Sequence, residues 1–241
     1  MKNHDVRAKI AEVSIIPAVR VKTPEDAWFA AEAVSRGGIP IVELTMTVPK
    51  ATELIAHLVE KHPDMVVGAG TVLDVETARA CLDAGAHFLT SPGLDLETVE
   101  FAVKHHVVVM PGVLTPSEVM AAAKAGADFV KIFPCSQLGG VAYLRALRAP
   151  FPHVSFIAAG GVNQQTVADY IYAGAAAVGI GTELIPPRAI EARARDSCKV
   201  CQILWIDRDR IGDHAGSVDG VPHQISFHGA FPPRLIFKTT I

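Results

Sequence analysis

Several features are scarce in this 241-residue sequence, and their scarcity excludes whole classes of protein. The net charge is −3, with no basic stripe and no run of like charges, so little in the sequence would attract nucleic-acid phosphates. No apolar segment reaches the ~18 residues of a membrane-spanning helix without a charge, Pro or Gly. The first ten residues lack the apolar core of a signal peptide. We therefore expect a cytoplasmic protein that binds neither nucleic acid nor membrane.

Cysteines are few and too scattered for a disulfide framework, which fits a reducing compartment. They are Cys81, Cys135, Cys198 and Cys201. The pair Cys198-x-x-Cys201 has the spacing of half a zinc site, but such a site needs a second ligand pair at motif spacing. The histidines of the following segment do not supply one clearly. We therefore predict no metal site.

Half of the residues are hydrophobic, which suits one barrel-sized domain or two small ones. The apolar residues cluster in short, β-branched segments that recur roughly every 20 to 25 residues and alternate with amphipathic segments. Eight segments are predicted as strands: residues 14–20, 39–44, 65–69, 88–90, 107–110, 129–132, 154–158 and 177–180. Near-continuous apolar strands separated by helices indicate a parallel sheet covered on both faces.

Helix-capping residues open the segments between these strands. Thr23 precedes Pro24, Asp74 stands before an amphipathic run, and Thr115-Pro-Ser-Glu118 has the spacing of a capping box. Eight strand–helix units predict an α/β fold, a (β/α)8 TIM barrel over residues 1–195. An open, doubly wound sheet is the alternative. The Gly-, His- and Pro-rich residues 196–241 show no sustained period, and we predict an atypical tail that is disordered or non-native.

Lys131 lies in the middle of the apolar run D-F-V-K-I-F-P at residues 128–134. Burial disfavours the ammonium form, so a lysine inside a strand is expected as a free amine near neutral pH. A desolvated amine attacks carbonyl groups and forms Schiff bases. The alternative is a structural lysine that reaches solvent or pairs with a carboxylate.

Glu43 is a second ionisable residue in an apolar strand, I-V-E-L-T at residues 41–45. Side chains at the carboxyl ends of barrel strands meet at one mouth, where Glu43 and Lys131 would exchange a proton or stabilise each other's charge. A buried structural ion pair is the alternative, although desolvation makes such pairs poor stabilisers. We expect the pair to be catalytic.

Glycines follow the last two predicted strands. Gly160-Gly161 comes after the seventh strand, and Gly179-Ile-Gly181-Thr182 ends the eighth. Barrels bind phosphate in these two turns, where backbone N–H groups favour an anion. Each motif is also typical of a tight strand–helix turn, but the two together favour an anion site.

The sequence resembles the class I aldolases that cleave 2-keto-3-deoxy-6-phosphogluconate (KDPG) and 4-hydroxy-2-oxoglutarate (KHG). The matching motifs occur in family order over about residues 8–190. They are I-P-A-V-R at 16–20, E-L-T-M-T-V-P at 43–49, G-A-G-T-V at 68–72, S-P-G-L at 91–94, P-G-V-L-T-P-S-E at 111–118, V-K-I-F-P at 130–134 and G-G-V-N at 160–163.

The resemblance implies an aldolase that releases pyruvate and an aldehyde such as glyceraldehyde 3-phosphate or glyoxylate, as in Entner–Doudoroff carbohydrate metabolism. It implies that Lys131 forms the Schiff base and Glu43 transfers protons. It further implies that Arg20 and Thr71 hold the substrate carboxylate or orient water, and that Pro92 and Phe133 pack on the pyruvyl part. The distal phosphate would be received by Gly160, Gly161 and Thr182. No cofactor or metal and a homotrimer are implied as well.

Three departures from the family pattern bear on the substrate. Ala158-Ala159 replaces the usual Pro-Thr, which puts the C4 stereochemical preference in doubt. Thr182 replaces the usual Ser or Gly, and the carboxylate of Glu183 beside it favours a short unphosphorylated substrate over the expected phosphorylated one. The last helix breaks off in composition after Glu191. Two other functions suit the same fold: a phosphosugar isomerase or epimerase, and a catalytically silent oligomeric barrel.

Overall fold

A computed structural model describes residues 2–191 of the chain, in which nine strands form one parallel sheet. Each strand is short, and nearly every residue in it is buried. The strands are β1 Ile15–Val19, β2 Ile41–Thr45, β3 Val66–Gly70, β4 Phe88–Thr90, β5 Val108–Met110, β6 Gly112–Val113, β7 Val130–Ile132, β8 Phe156–Ala159 and β9 Ala177–Ile180. The predicted parallel α/β architecture is confirmed.

The sheet closes into a barrel through Pro111. The strand order is β5-β4-β3-β2-β1-β9-β8-β7-β6, and its two end strands are consecutive in the chain with only Pro111 between them. Strand β5 pairs with β4, whereas β6 pairs with β7. The carbonyl of Pro111 accepts a 3.0 Å hydrogen bond from the Lys131 N–H. The fifth strand, predicted over residues 107–110, thus corresponds to β5, and the short strand β6 beyond Pro111 was not predicted. The two strands are separate because proline has no N–H to contribute to a continuous ladder.

Helices follow the strands and cover the outside of the barrel. They are α1 Asn3–Val13, α2 Pro24–Arg36, α3 Ala51–Lys61, α4 Val75–Asp83, α5 Leu96–Lys104, α6 Pro116–Lys124, α7 Gly140–Arg148, α8 Val167–Tyr172 and α9 Pro187–Glu191. The predicted caps form: Thr23 accepts a hydrogen bond from the Asp26 N–H, Asp74 from the Thr77 N–H, and Thr115 forms a capping box with Glu118. Local sequence thus determines where these helices begin.

The first helix, α1, was not predicted. Its Val6 and Ile10 are buried, and it packs against β5 and β9. Arg7 on the same helix lies 3.4 Å from Asp128, which immediately precedes the strand segment of Lys131. These contacts place α1 at the amino end of the barrel.

The predicted tail of residues 196–241, with Cys198 and Cys201, lies outside the described residues, so its disorder and the boundary at residue 195 stay predictions.

Candidate active site

Lys131 is the central residue of β7, and its neighbours Val130 and Ile132 are buried. The Lys131 side chain itself is half-buried. The sequence predicted a fully desolvated amine, and the structure shows one that is only partly desolvated. The Nζ atom donates a 3.1 Å hydrogen bond to Thr90 Oγ1 and lies 5.2 Å from the centroid of the Phe133 ring. The amine therefore lies against a hydroxyl and an aromatic face while keeping access to solvent.

Glu43, in β2, is only 6% exposed. Desolvation raises the pKa of its carboxyl, while the charges of Lys131 and then Arg20 act in the opposite direction. Within residues 2–191 this carboxyl accepts no hydrogen bond, and because no side-chain oxygen that is sealed from solvent is left unpaired there, its oxygens keep some contact with solvent. A carboxyl that is buried, unpaired and near a lysine is suited to carry a proton at neutral pH.

Gly70, the last residue of β3, provides the space that Glu43 occupies. A Cβ atom at residue 70 would lie 2.0 Å from Glu43 Oε1 and 2.6 Å from its Cδ. Any larger residue would push the carboxyl out of place. The absence of a side chain at Gly70 therefore lets the Glu43 carboxyl lie against the backbone of β3.

Arg20 and Thr71 are brought together just beyond β1 and β3. Arg20 is exposed, and its Nη2 atom donates a 3.4 Å hydrogen bond to Thr71 Oγ1. Thr71 has φ of 59°, in the left-handed region that a β-branched residue rarely adopts. A cation and a hydroxyl thus face the mouth side by side, as a carboxylate site requires.

Pro92 lies in the turn that follows β4. Ser91 Oγ donates a 2.6 Å hydrogen bond to the Gly93 carbonyl and accepts one from the Gly112 N–H. A Cβ at Gly112 would lie 2.2 Å from the Pro92 carbonyl oxygen, so glycine is needed for this close approach. The turn is thereby fixed against the strand that neighbours β7.

Phe133 and the Gly160-Gly161 turn are held against each other. The Cys135 N–H donates to the Ala159 carbonyl at 2.7 Å, and the Ser136 N–H donates to the Gly160 carbonyl at 3.0 Å. Both glycines have positive φ, and a Cβ at Gly160 would lie 3.1 Å from Phe133 Cδ2. The segment after Lys131 and the turn after β8 therefore form one surface.

Thr182 is exposed in the turn after β9, with the exposed Glu183 next to it. This turn neighbours the Gly160-Gly161 turn, because Ala159 pairs with Gly179 in the sheet. In the described part of the chain, no hydrogen bond links Thr182 to another predicted site residue. The two turns are adjacent, but among residues 2–191 no such hydrogen bond holds the Thr182 hydroxyl.

Thr90 is the residue that the sequence analysis missed. It ends β4, is 2% exposed and contacts the Lys131 amine directly. Counted along the predicted eight strands, Glu43, Thr90 and Lys131 belong to the second, fourth and sixth. Alternate strands of such a barrel contribute side chains to the same interior layer. A polar residue closing the apolar strand F-L-T was the available signal.

Comparison with known proteins accords with this geometry. A sequence model of the family described as KDPG and KHG aldolase matches residues 6–202. The chain belongs to the KDPG and KHG aldolase family. A relative named 2-dehydro-3-deoxy-phosphogluconate aldolase, from Treponema pallidum, is 35% identical over 183 residues, which cover 76% of this chain and 87% of the relative.

Solved structures of aldolases resemble the chain over most of its length. One is KDPG aldolase from Legionella pneumophila with pyruvate captured as a covalent carbinolamine intermediate (TM-score 0.75, 32% identity, 82% of this chain and 95% of that one). Another is the KDPG aldolase of Zymomonas mobilis with 3-phosphoglycerate (TM-score 0.70, 30% identity, 81% and 95%). The resemblance inferred from the motifs is confirmed, as is the barrel. The chain is a class I aldolase, and the isomerase and silent-barrel alternatives are not favoured.

Proposed function

We propose that Lys131 is the Schiff-base nucleophile of this aldolase and that Glu43 is its proton carrier. One observation carries the proposal: the Lys131 amine lies at the barrel mouth, within electrostatic range of a buried carboxyl that has no hydrogen-bond donor among residues 2–191. A buried structural ion pair would be expected to satisfy both partners. A carboxyl left without a donor beside an amine is instead arranged for proton transfer.

The chemistry begins with attack of the neutral Lys131 amine on the C2 ketone of the substrate. A proton passes from nitrogen to oxygen to give the carbinolamine. The protonated Glu43 carboxyl then donates a proton to the carbinolamine hydroxyl, which leaves as water, so that a protonated imine and the Glu43 carboxylate remain. Glu43 as carboxylate then removes the C4 hydroxyl proton. The C4 oxygen becomes an aldehyde carbonyl, the C3–C4 bond breaks, and its electron pair moves onto the imine to give an enamine. Glu43 returns its proton to C3, and water releases pyruvate.

The substrate we propose is a 2-keto-3-deoxy (phospho)sugar acid or 4-hydroxy-2-oxoglutarate, cleaved to pyruvate and an aldehyde. Arg20 and Thr71 would bind its carboxylate, and Phe133 and Pro92 would contact its pyruvyl part. The names and bound molecules of the relatives, among them pyruvate and 3-phosphoglycerate, support this substrate class.

A phosphate at the far end of the substrate would lie in the turns of Gly160, Gly161 and Thr182. Positive φ at both glycines and the adjacency of the two turns support this site. The negative charge of the exposed Glu183 would repel a phosphate in these turns, which favours an unphosphorylated substrate. The buried Ala159 offers no hydroxyl to the C4 end of the substrate, so we expect weak discrimination at that centre.

A substrate panel tests the proposal. Pyruvate release would be measured from KDPG, its galactonate epimer and 4-hydroxy-2-oxoglutarate, with the wild type, Lys131→Ala and the control Lys124→Ala, whose lysine is exposed at the end of α6. We expect turnover of at least one substrate by the wild type and the control and none by Lys131→Ala. Turnover by Lys131→Ala at the wild-type rate would contradict the proposal.

The homotrimer, the cytoplasmic location and a role in Entner–Doudoroff metabolism stay predictions. Within residues 2–191 no helix is long and apolar enough to cross a bilayer. Sedimentation equilibrium of the full chain would test the trimer, and a monomer at micromolar concentration would contradict it.

A further inference from the structure

Thr90 is buried in the barrel interior, where a side chain of its shape is normally valine. Such interiors are filled mainly by branched apolar residues, and a hydroxyl there is costly unless it has a partner. Thr90 is 2% exposed, and no buried side-chain oxygen or nitrogen of the described residues is left without a hydrogen bond. Among the residues that the structure describes, the partner of the Thr90 hydroxyl is the Lys131 amine, at 3.1 Å. The hydroxyl is therefore matched to the reacting nitrogen.

The position of Thr90 is set by the backbone rather than by the loop that follows. It is the last residue of β4, it pairs with Met110 of β5, and its carbonyl accepts a 3.1 Å hydrogen bond from the Val72 N–H. Strands β4 and β7 are not neighbours, because the split strand β5–Pro111–β6 lies between them. The Thr90 hydroxyl thus contacts the Lys131 amine across the barrel interior, and each of the two side chains is held by a strand.

We propose that Thr90 is a further catalytic residue: its Oγ1 atom accepts an N–H bond of Lys131 from the free amine through to the protonated imine. This inference rests on the proposed role of Lys131. In the free amine, one N–H directed at Thr90 leaves the nitrogen lone pair free to attack the C2 ketone. In the protonated imine, the nitrogen keeps a single N–H, which needs an acceptor in the plane of the C=N bond.

The hydrogen bond therefore has two consequences for the reaction. It stabilises the charged imine relative to the carbinolamine, because a hydrogen bond from a cation is stronger than one from a neutral donor. It also fixes the plane of the C=N bond, and with it the side of the imine on which the C3–C4 bond lies. The first effect acts on formation of the Schiff base and the second on cleavage of the C3–C4 bond, and neither acts on binding of the keto acid.

The test measures the rate at which pyruvate plus borohydride adds a covalent adduct to the full chain, followed by intact mass. Thr90→Val removes the hydroxyl at nearly constant shape. The pair Thr90→Ser and Thr90→Ala gives a second comparison, since both lack the methyl group and only one keeps the hydroxyl. Thr98→Val is the matched control: Thr98 is also a buried threonine, but its hydroxyl donates to the carboxylate of Asp95, the residue that caps α5, and not to Lys131.

We expect Thr90→Val and Thr90→Ala to trap pyruvate about tenfold to a hundredfold more slowly than the wild type, as loss of one hydrogen bond to a charged group predicts. Thr90→Ser should retain most of the rate, Thr98→Val all of it, and kcat should fall more than KM rises. Should Thr90→Val not fold, the Ser and Ala pair still decides.

Equal trapping rates for Thr90→Ser and Thr90→Ala would overturn the inference. If the role of Thr90 were purely structural, its replacement would change the trapping rate of both variants equally. Failure of the wild type itself to form an adduct would instead contradict the proposed function of Lys131. The two failures are thus distinguishable.

Discussion

Asp128 and Glu43 are both carboxyls whose pKa is raised by desolvation, but they lie at opposite ends of the barrel. Asp128, at the amino end, accepts a 3.0 Å hydrogen bond from the Val109 N–H and lies 3.4 Å from Arg7. Glu43 points to the mouth and, within residues 2–191, has charges nearby but no donor in contact.

A buried carboxyl has a different role at each end of the barrel. At the amino end, hydrogen bonds from the backbone and from α1 offset the cost of burial, and the carboxylate joins strand to strand and helix to barrel. At the mouth, the cost is left partly uncompensated, which destabilises the carboxylate form of Glu43 and lets this carboxyl hold a proton at a higher pH than an ordinary glutamate. The two ends of barrels of this type divide stability and catalysis in the same way.

Removal of the proposed nucleophile, Lys131, should give the largest effect at the mouth. Lys131→Ala should lower kcat/KM for aldol cleavage on the order of 10³-fold or more, since it removes the amine that would form the imine. Its thermal unfolding midpoint should stay close to that of the wild type, because the side chain is half-buried. A steady-state assay coupled to pyruvate release, with the unfolding curve beside it, measures both. Cleavage at a tenth of the wild-type rate would remove Lys131 from the mechanism.

The two carboxyls should respond to substitution in opposite ways. Glu43→Gln should lower kcat on the order of 10²-fold, the usual contribution of a general acid–base group. Asp128→Ala should leave kcat within about twofold but lower the free energy of unfolding by ~1–3 kcal/mol, because it leaves the Val109 N–H without its acceptor. Kinetics and urea unfolding of both variants check this. A large loss of kcat in Asp128→Ala would erase the distinction between the two ends.

Gly70→Ala tests whether the position of Glu43 matters apart from its charge. The added Cβ would lie 2.0 Å from Oε1, so the carboxyl must move. We expect kcat to fall about 10- to 100-fold, as displacement of a catalytic group by roughly 1 Å commonly gives. Gly93→Ala is the control, since a Cβ there meets no atom within 4 Å. Equal rates for the two variants would show that the Glu43 carboxyl tolerates displacement.

The smallest effect concerns stability and pH. The folded-state pKa of Glu43 lies above its ordinary value of 4.5, so the folded chain holds this proton more tightly than the unfolded chain. Its contribution to stability is therefore most favourable below about pH 4.5 and is lost as pH rises through the folded-state pKa. Glu43→Gln, which cannot ionise, should unfold at a higher temperature than the wild type at pH 8.

This advantage of Glu43→Gln should shrink towards pH 4, where the Glu43 carboxyl is largely protonated in the folded and the unfolded chain alike. Calorimetry over this pH range measures the difference. A Glu43→Gln variant less stable than wild type at pH 8 would mean that the charges of Lys131 and Arg20 outweigh desolvation.

The fold was predictable because its signals are local. Apolar strand segments and cap residues such as Thr23, Asp74 and Thr115 depend only on neighbours in sequence. The short strand β6 beyond Pro111 was missed because it depends on closure of the sheet, which sequence alone did not specify.

The candidate site was predictable only in part, and its residue roles stay predictions. Lys131 and Glu43 stood out as charged residues in apolar strands. Thr90 and Gly70 did not, because threonine and glycine are ordinary at strand ends. Their roles depend on which side chain lies opposite: the Lys131 amine for one and the Glu43 carboxyl for the other.

The most direct test of the account is to locate the covalent adduct. The wild-type chain would be reduced with borohydride in the presence of pyruvate, digested, and its peptides sequenced by mass spectrometry. We predict one adduct, on the peptide that contains Lys131, and none after the same treatment of Lys131→Ala. An adduct on another lysine, or an unmodified Lys131 peptide in the wild type, would contradict the assignment of the nucleophile.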